Sequence, residues 1–248
     1  MEKEKVIERI EKMRKEWAAN DAKRDAGLTV PEGLKIYKDI SYGPYGEWNL
    51  LDIYMPDDGN KYPLIVDIHG GGYFYGDKKL YSYYCMHLAT LGFTVVNFNY
   101  RLSPENKFPA PLEDTDAVIS FIEKHGKEYG LDHNKMLLTG DSAGAQLSSQ
   151  YAAICTNDDY REKFGFPKHS IKLAGVSLAC GMYDIIHKAP TDDVDVLFDS
   201  YYSDNQSLED PRLDVLANIT SEYPPVFIFS SKDDFLLPAF EPQTSRAS

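Results

Sequence analysis

The sequence predicts an α/β fold: a mostly parallel sheet with helices on both faces. Two observations predict it. Short, continuously apolar runs alternate with segments of helical length, and such runs are strands buried on both faces. The glycine-rich turn Gly140-Asp141-Ser142-Ala143-Gly144 also stands directly between an apolar run and a helix-compatible stretch. Strand, sharp turn and helix are the context that gives a G-x-S-x-G pattern its meaning.

The elements follow in chain order. Residues 2–20 place Val6, Ile7, Ile10, Met13 and Trp17 at helical spacing among charges, which makes an amphipathic helix with one apolar stripe. Residues 26–31, with Gly27 and Pro31, read as a linker. The runs 34–37 and 48–54 are β-like, with Pro44 and Gly46 between them, so they predict an antiparallel hairpin. Apolar strands are expected at 63–68, 93–98, 135–139, 172–178 and 226–229, with helices at 81–91, 112–125 and 145–155. The stretch 184–218 breaks this rhythm. It is acidic and irregular, and reads as an insertion near the carboxyl edge of the sheet. Nothing else divides the chain, so residues 1–248 are expected to form a single domain.

Composition limits the partners. The chain has 248 residues and a net charge of −13, so nothing neutralises the phosphates of a nucleic acid or an anionic membrane surface. Hydrophobic content of 43% and charged content of 26% are ordinary for a soluble globular protein. The charged start, Met1-Glu2-Lys3-Glu4-Lys5, has no apolar core of a signal peptide, and no run reaches membrane-spanning length. Cys85, Cys155 and Cys180 are odd in number and far apart, so they read as reduced core thiols and not as a metal site. These features together predict a cytoplasmic location.

Ser142 is the candidate nucleophile. A free serine hydroxyl is a weak nucleophile at neutral pH and needs a base to take its proton. His69-Gly70-Gly71-Gly72 follows the strand at 63–68. Backbone N–H groups of Gly71 and Gly72, with that of Ala143, are assigned to an oxyanion hole, where each donor contributes about 2.7–4 kcal/mol. A phosphate-binding loop would continue with Lys-Ser or Lys-Thr, whereas Tyr73-Phe74-Tyr75 follows here. His69 precedes the donors in the same turn and is read as orienting the loop. Tyr73 and Phe74 belong to an aromatic cluster, with Tyr75, Tyr81, Tyr83 and Tyr84, that either lines a substrate pocket or packs the core. Both readings stay open.

A third segment runs Tyr100-Arg101-Leu102-Ser103-Pro104-Glu105-Asn106-Lys107-Phe108-Pro109-Ala110. His-Gly-Gly-Gly, this segment and Gly-Asp-Ser-Ala-Gly stand in the order in which they occur in the hormone-sensitive-lipase-like family of α/β-hydrolase carboxylesterases, which the chain resembles. The resemblance runs from about Asp52 to Pro238. It implies an α/β-hydrolase fold with an eight-stranded sheet and a small helical cap, here residues 1–26 and 184–218. It also implies no cofactor and a small-molecule ester of short acyl chain as substrate. The family's acid lies four residues before a proline in the loop after the strand at 226–229. That position is Asp234, with Asp233 as the close alternative and Asp184 as a more distant one.

In that family the base is a histidine on a loop after one more strand. All six histidines here precede Asp234, and the chain stops at Ser248 after a polar tail. His187, in the inserted stretch, is the only late histidine near the mouth of the site. The expectation is therefore that the last strand, the base loop and the last helix are missing. An uncovered apolar edge at 226–229 would then favour self-association. Two functions follow: a serine carboxylesterase, or a C-terminally truncated, catalytically impaired hydrolase-fold protein lacking its histidine base.

Overall fold

The structure is a computed structural model, and it describes residues 3–186, 192–202, 209–232, 234 and 236. Its seven strands are β1 (Leu34–Ser41), β2 (Leu50–Pro56), β3 (Leu64–Ile68), β4 (Thr94–Phe98), β5 (Met136–Asp141), β6 (Leu173–Ala179) and β7 (Val226–Phe229). They form one sheet in the order β1-β2-β4-β3-β5-β6-β7. β1 pairs antiparallel with β2, and β2 with β4, while every pair from β4 to β7 is parallel. This is the α/β-hydrolase fold expected from the sequence.

Alternation along the central strands fills both faces. Leu64, Val66 and Ile68 of β3 join the large core with Val96 and Phe98 of β4, while Ile65 and Val95 point the other way into a smaller core. Both faces are buried, so these strands read as unbroken apolar runs instead of alternating ones. Helix α2 (Ser82–Thr90) covers the smaller core through Cys85, Met86 and Ala89. Helices α3 (Ala110–Tyr129) and α4 (Ala143–Thr156) cover the larger one. β7 is different: its four residues are 45%, 66%, 56% and 50% exposed. In the described residues it is one edge of the sheet, with β1 at the other.

The first helix, α1 (Lys3–Arg24), buries Val6, Ile10 and Met13, but Ile7 lies outside the expected stripe and is exposed. A short helix α5 (Asp158–Glu162) was not anticipated. Its signal is local: Asn157 caps it by accepting from the Tyr160 N–H. The expectation of an irregular 184–218 is corrected in part. Residues Asp192–Tyr201 form helix α6, which packs on α1, and Leu216–Asn218 make a short 3-10 turn. The eighth strand implied by the resemblance is not among the described residues.

Candidate active site

Ser142 sits alone between β5 and α4 at φ 50° and ψ −118°, a backbone region that side chains rarely occupy. Neighbours over-determine it. Its N–H donates to the Ala179 carbonyl at 2.8 Å, and its carbonyl accepts from the Gln146 N–H at 3.1 Å. The flanking glycines are required by contact. A Cβ on Gly144 would strike the Ile68 carbonyl oxygen, and one on Gly140 would come within 2.7 Å of that same oxygen. The turn can therefore be this sharp only with glycine at both positions. Ala143 begins α4, so its N–H is among those the helix cannot satisfy, at the positive end of the helix dipole.

The second wall is the loop 69–76. Gly71, Gly72 and Tyr73 have φ of 110°, 59° and 67° in succession. The carbonyl of Gly71 accepts from the N–H groups of Phe74 and Tyr75, at 3.2 and 2.9 Å, which folds the loop back on itself. A Cβ on Gly71 would collide with the Tyr75 carbonyl. The N–H of Gly70 is already committed, to the Asp141 carboxylate at 3.1 Å and the Tyr81 hydroxyl at 3.0 Å. Those of Gly71 and Gly72 donate to no acceptor among the described residues. Asp141 thereby ties the elbow to the loop. Burial raises its carboxyl above the ordinary range, while the Tyr81 hydroxyl, donating at 2.7 Å, favours the charged form.

His69 orients this loop and is not placed to act as a base. Its ring lies on Tyr100, and its Nδ1–H donates to the Gly70 carbonyl at 2.7 Å. Its Nε2 has no partner among the described residues. Burial pulls its pKa down to about 4, so it is neutral at working pH. The Tyr100-Arg101 segment is a brace. The Tyr100 hydroxyl donates to the His69 carbonyl at 2.9 Å. The Arg101 guanidinium bonds Asp114 at 3.0 Å and Glu113 at 2.7 Å, and stacks over Tyr45.

Tyr73 and Phe74 are packing residues in this structure, 3% and 0% exposed. The Tyr73 ring stacks on Tyr201 at 3.9 Å and its hydroxyl donates to Gln146 Oε1 at 3.1 Å. Phe74 stacks on Trp17 at 5.2 Å. Burial favours the core reading for Tyr73, whereas Phe74 also lines a cavity of about 510 Å³ with Arg14, Trp48 and Tyr75. Tyr81, Tyr83 and Tyr84 instead line a cavity of about 440 Å³ on the α2 face, with Asp67 and Phe229. Burial and the charge of Asp141 push the Asp67 carboxyl up to about 8. Its place inside the apolar run 63–68 is the signal in the sequence that this carboxyl is buried.

The ends of β5, β6 and β7 lie side by side. Ser142 bonds Ala179, and the Cys180 N–H donates to the Phe229 carbonyl at 2.9 Å. Asp234 follows on the loop beyond β7. One carboxylate oxygen accepts from the Ser230 hydroxyl at 2.7 Å, the other from the Leu236 N–H at 3.0 Å. Asp184 follows β6, while Asp233 and His187 lie outside the described residues. Of the remaining histidines, His87 is on α2, His125 on α3 beside Glu128, and His133 in the turn before β5. His169 is held between Asp116 and Glu123. Among the described residues none follows β7, and no group of three or more His, Cys, Asp or Glu is arranged to hold a metal. No described helix is long and apolar enough to cross a membrane.

The chain is similar to known proteins in sequence and in fold. A family model described as BD-FAE matches residues 51–245. A probable carboxylic ester hydrolase, LipM of Mycobacterium tuberculosis, is 31% identical over 223 residues, covering 83% of this chain and 51% of the relative. An acetyl esterase of Salmonella choleraesuis is 28% identical, covering 78% of this chain and 61% of the relative. The chain thus spans about half to three-fifths of the length of these curated relatives. Among solved structures, esterase B of Lactobacillus rhamnosis, inhibited by a tributyrin phosphonate, superposes with a TM-score of 0.82 at 28% identity. That match covers 92% of this chain and 75% of the esterase.

Proposed function

Since the chain belongs to the BD-FAE family of α/β-hydrolases, we propose that it is a serine carboxylesterase acting on short-chain acyl esters. The strained backbone of Ser142, between glycines that admit no side chain, is the observation that carries this reading. Such a turn is worth its strain only where the hydroxyl must stand clear of the sheet. The relatives named acetyl esterase and inhibited by a tributyrin phosphonate support short acyl groups as the substrate class.

In the proposed reaction Ser142 Oγ attacks the ester carbonyl carbon while its proton passes to a base. The N–H groups of Gly71, Gly72 and Ala143 hold the oxyanion of the tetrahedral intermediate. Collapse breaks the bond to the alcohol, which leaves with the proton from the base. Water then cleaves the acyl-serine by the same steps in reverse order. Asp234 orients the base and stabilises its cation. The base is a histidine that the described residues do not supply at the end of β7. The second reading is a catalytically impaired hydrolase-fold protein, supported by the fact that no histidine among the described residues follows β7.

No cofactor enters this scheme. Helices α1 and α6 serve as the cap over the site, and the exposed β7 edge pairs with a second copy of the chain. A short-chain nitrophenyl ester separates the two functional readings. Turnover that Ser142→Ala abolishes supports the esterase. Absence of turnover in the parent chain supports the impaired protein. Turnover that survives the substitution removes Ser142 as nucleophile.

A further inference from the structure

We infer that α1 is a positioning element for the oxyanion hole, with Arg14 as the positioning residue. This inference rests on the assignment of Gly71 and Gly72 as oxyanion donors. Arg14 lies far from the loop in sequence, yet its guanidinium is built into it. Nε donates to the Phe74 carbonyl at 2.8 Å, and Nη2 to the Ser103 carbonyl at 2.9 Å and to Glu105 at 3.4 Å. Ser103 in turn donates its N–H to the Tyr73 carbonyl at 2.9 Å. The guanidinium therefore closes a ring around the end of the loop: Tyr73 to Ser103, Ser103 to Arg14, Arg14 to Phe74.

Two further contacts extend the clamp along the helix. Trp17, one turn on, lies against Phe74 and meets Tyr75 edge-on at 5.6 Å. Asp21, one turn further, accepts from the Tyr75 hydroxyl at 2.7 Å. Arg14, Trp17 and Asp21 share one face because residues three and four apart do so on a helix. The apolar residues Val6, Ile10 and Met13, with Trp17 packed beside them, dock α1 on the core, and Arg14 and Asp21 stand outside that apolar contact.

The loop needs such restraint because three consecutive residues hold positive φ, a conformation that persists only when surroundings enforce it. Gly70 is fixed by Asp141 at one end. The other end, Phe74 and Tyr75, is fixed by α1. A planar fork with several fixed donors spans two carbonyls at once, which the single ammonium of lysine does not. Loosening that end would move the Gly71 and Gly72 N–H groups relative to the oxyanion while leaving the ground-state site in place. The effect falls on kcat more than on KM.

The test compares Arg14→Gln and Arg14→Lys with Lys12→Gln. Lys12 is on the same helix in an exposed ion pair with Glu16. Backbone amide exchange over residues 71–75 is read beside steady-state hydrolysis of a short nitrophenyl ester. Arg14→Gln is expected to speed exchange in this loop and to lower kcat about 10- to 100-fold, with KM changed less than about threefold. Arg14→Lys falls between it and the parent chain, and Lys12→Gln matches the parent. Loop exchange in Arg14→Gln equal to the parent overturns the proposal. So does a general loss in which exchange rises throughout the molecule, because that is the mark of a merely structural role. If Arg14→Gln does not fold, Tyr75→Phe removes only the bond to Asp21 and carries the same expectation for the loop. If Ser142→Ala leaves turnover unchanged, or the parent chain has none, the esterase reading fails on its own and amide exchange still decides this one.

Discussion

The imidazole of His69 lies flat on the ring of Tyr100, with centroids 4.0 Å apart and planes 13° from parallel. The Tyr100 hydroxyl returns to the backbone of the same histidine, at the His69 carbonyl. One residue of the Tyr-Arg-Leu segment thus supports the first residue of His-Gly-Gly-Gly from two sides. Tyr100→Phe keeps the stack and deletes the bond. It is expected to lower stability by about 0.5–1.5 kcal/mol, read as a shift of the urea midpoint at unchanged slope. An unchanged midpoint would show that the hydroxyl contributes nothing.

Gly144→Ala tests the elbow directly. The added methyl would meet the Ile68 carbonyl oxygen and stand within 2.6 Å of the His69 carbonyl oxygen, both backbone atoms with nowhere to turn. The expected loss is at or beyond the upper end of about 1–3 kcal/mol for overpacking, or failure to fold. Gly130→Ala is a useful contrast, because a Cβ there meets nothing and only its φ of 73° is strained. A Gly144→Ala protein as stable as Gly130→Ala would contradict the contact argument.

His169 makes stability depend on pH. Burial alone would lower its pKa, but hydrogen bonds to Asp116 and Glu123, at 2.9 and 2.8 Å, outweigh that and raise it. A histidine raised on folding stabilises the folded state fully below its unfolded pKa of about 6.5. That contribution is lost as pH rises through the folded value. The stability gap between the parent chain and His169→Gln is therefore expected to be widest in mild acid and to shrink on the alkaline side. Urea titrations of both proteins across that window measure it, and a gap that widened with pH would refute the assignment.

The β7 edge gives a prediction about assembly. Phe227 and Ile228 are the most exposed of its residues and point to opposite faces of the strand. Light scattering coupled to sizing chromatography is expected to show mass above the monomer that grows with concentration. Phe227→Lys is expected to return the monomer, since a charge on an edge strand opposes pairing. A parent chain that stays monomeric at every concentration would exclude pairing through this edge.

Much of the frame was legible from local pattern. β7 was read at its observed bounds, and β3, β4, β5 and β6 to within a few residues, because strands buried on both faces are continuous apolar runs. Helix α6 was not legible: its packing surface is α1, which ends at Arg24, far from Asp192 in the chain. The elbow at Ser142 could be read because its constraints are adjacent in sequence: Gly140, Ser142 and Gly144 make one turn. The choice between Asp233 and Asp234 could not be made in the same way, since a loop carries no periodicity to fix its register.

By itself, then, the sequence determined the sheet, the glycine-flanked elbow at Ser142 and the glycine turn after β3, because each depends on backbone conformation that neighbouring residues impose. Tertiary structure alone decided that Asp141 occupies the Gly70 N–H, that His69 is a buried neutral support, and that Tyr73 and Phe74 are buried. It alone placed Arg14 on the loop 69–76, across 60 residues of chain. Such contacts join segments whose separation in sequence has no bearing on their distance in space, so no local pattern can encode them.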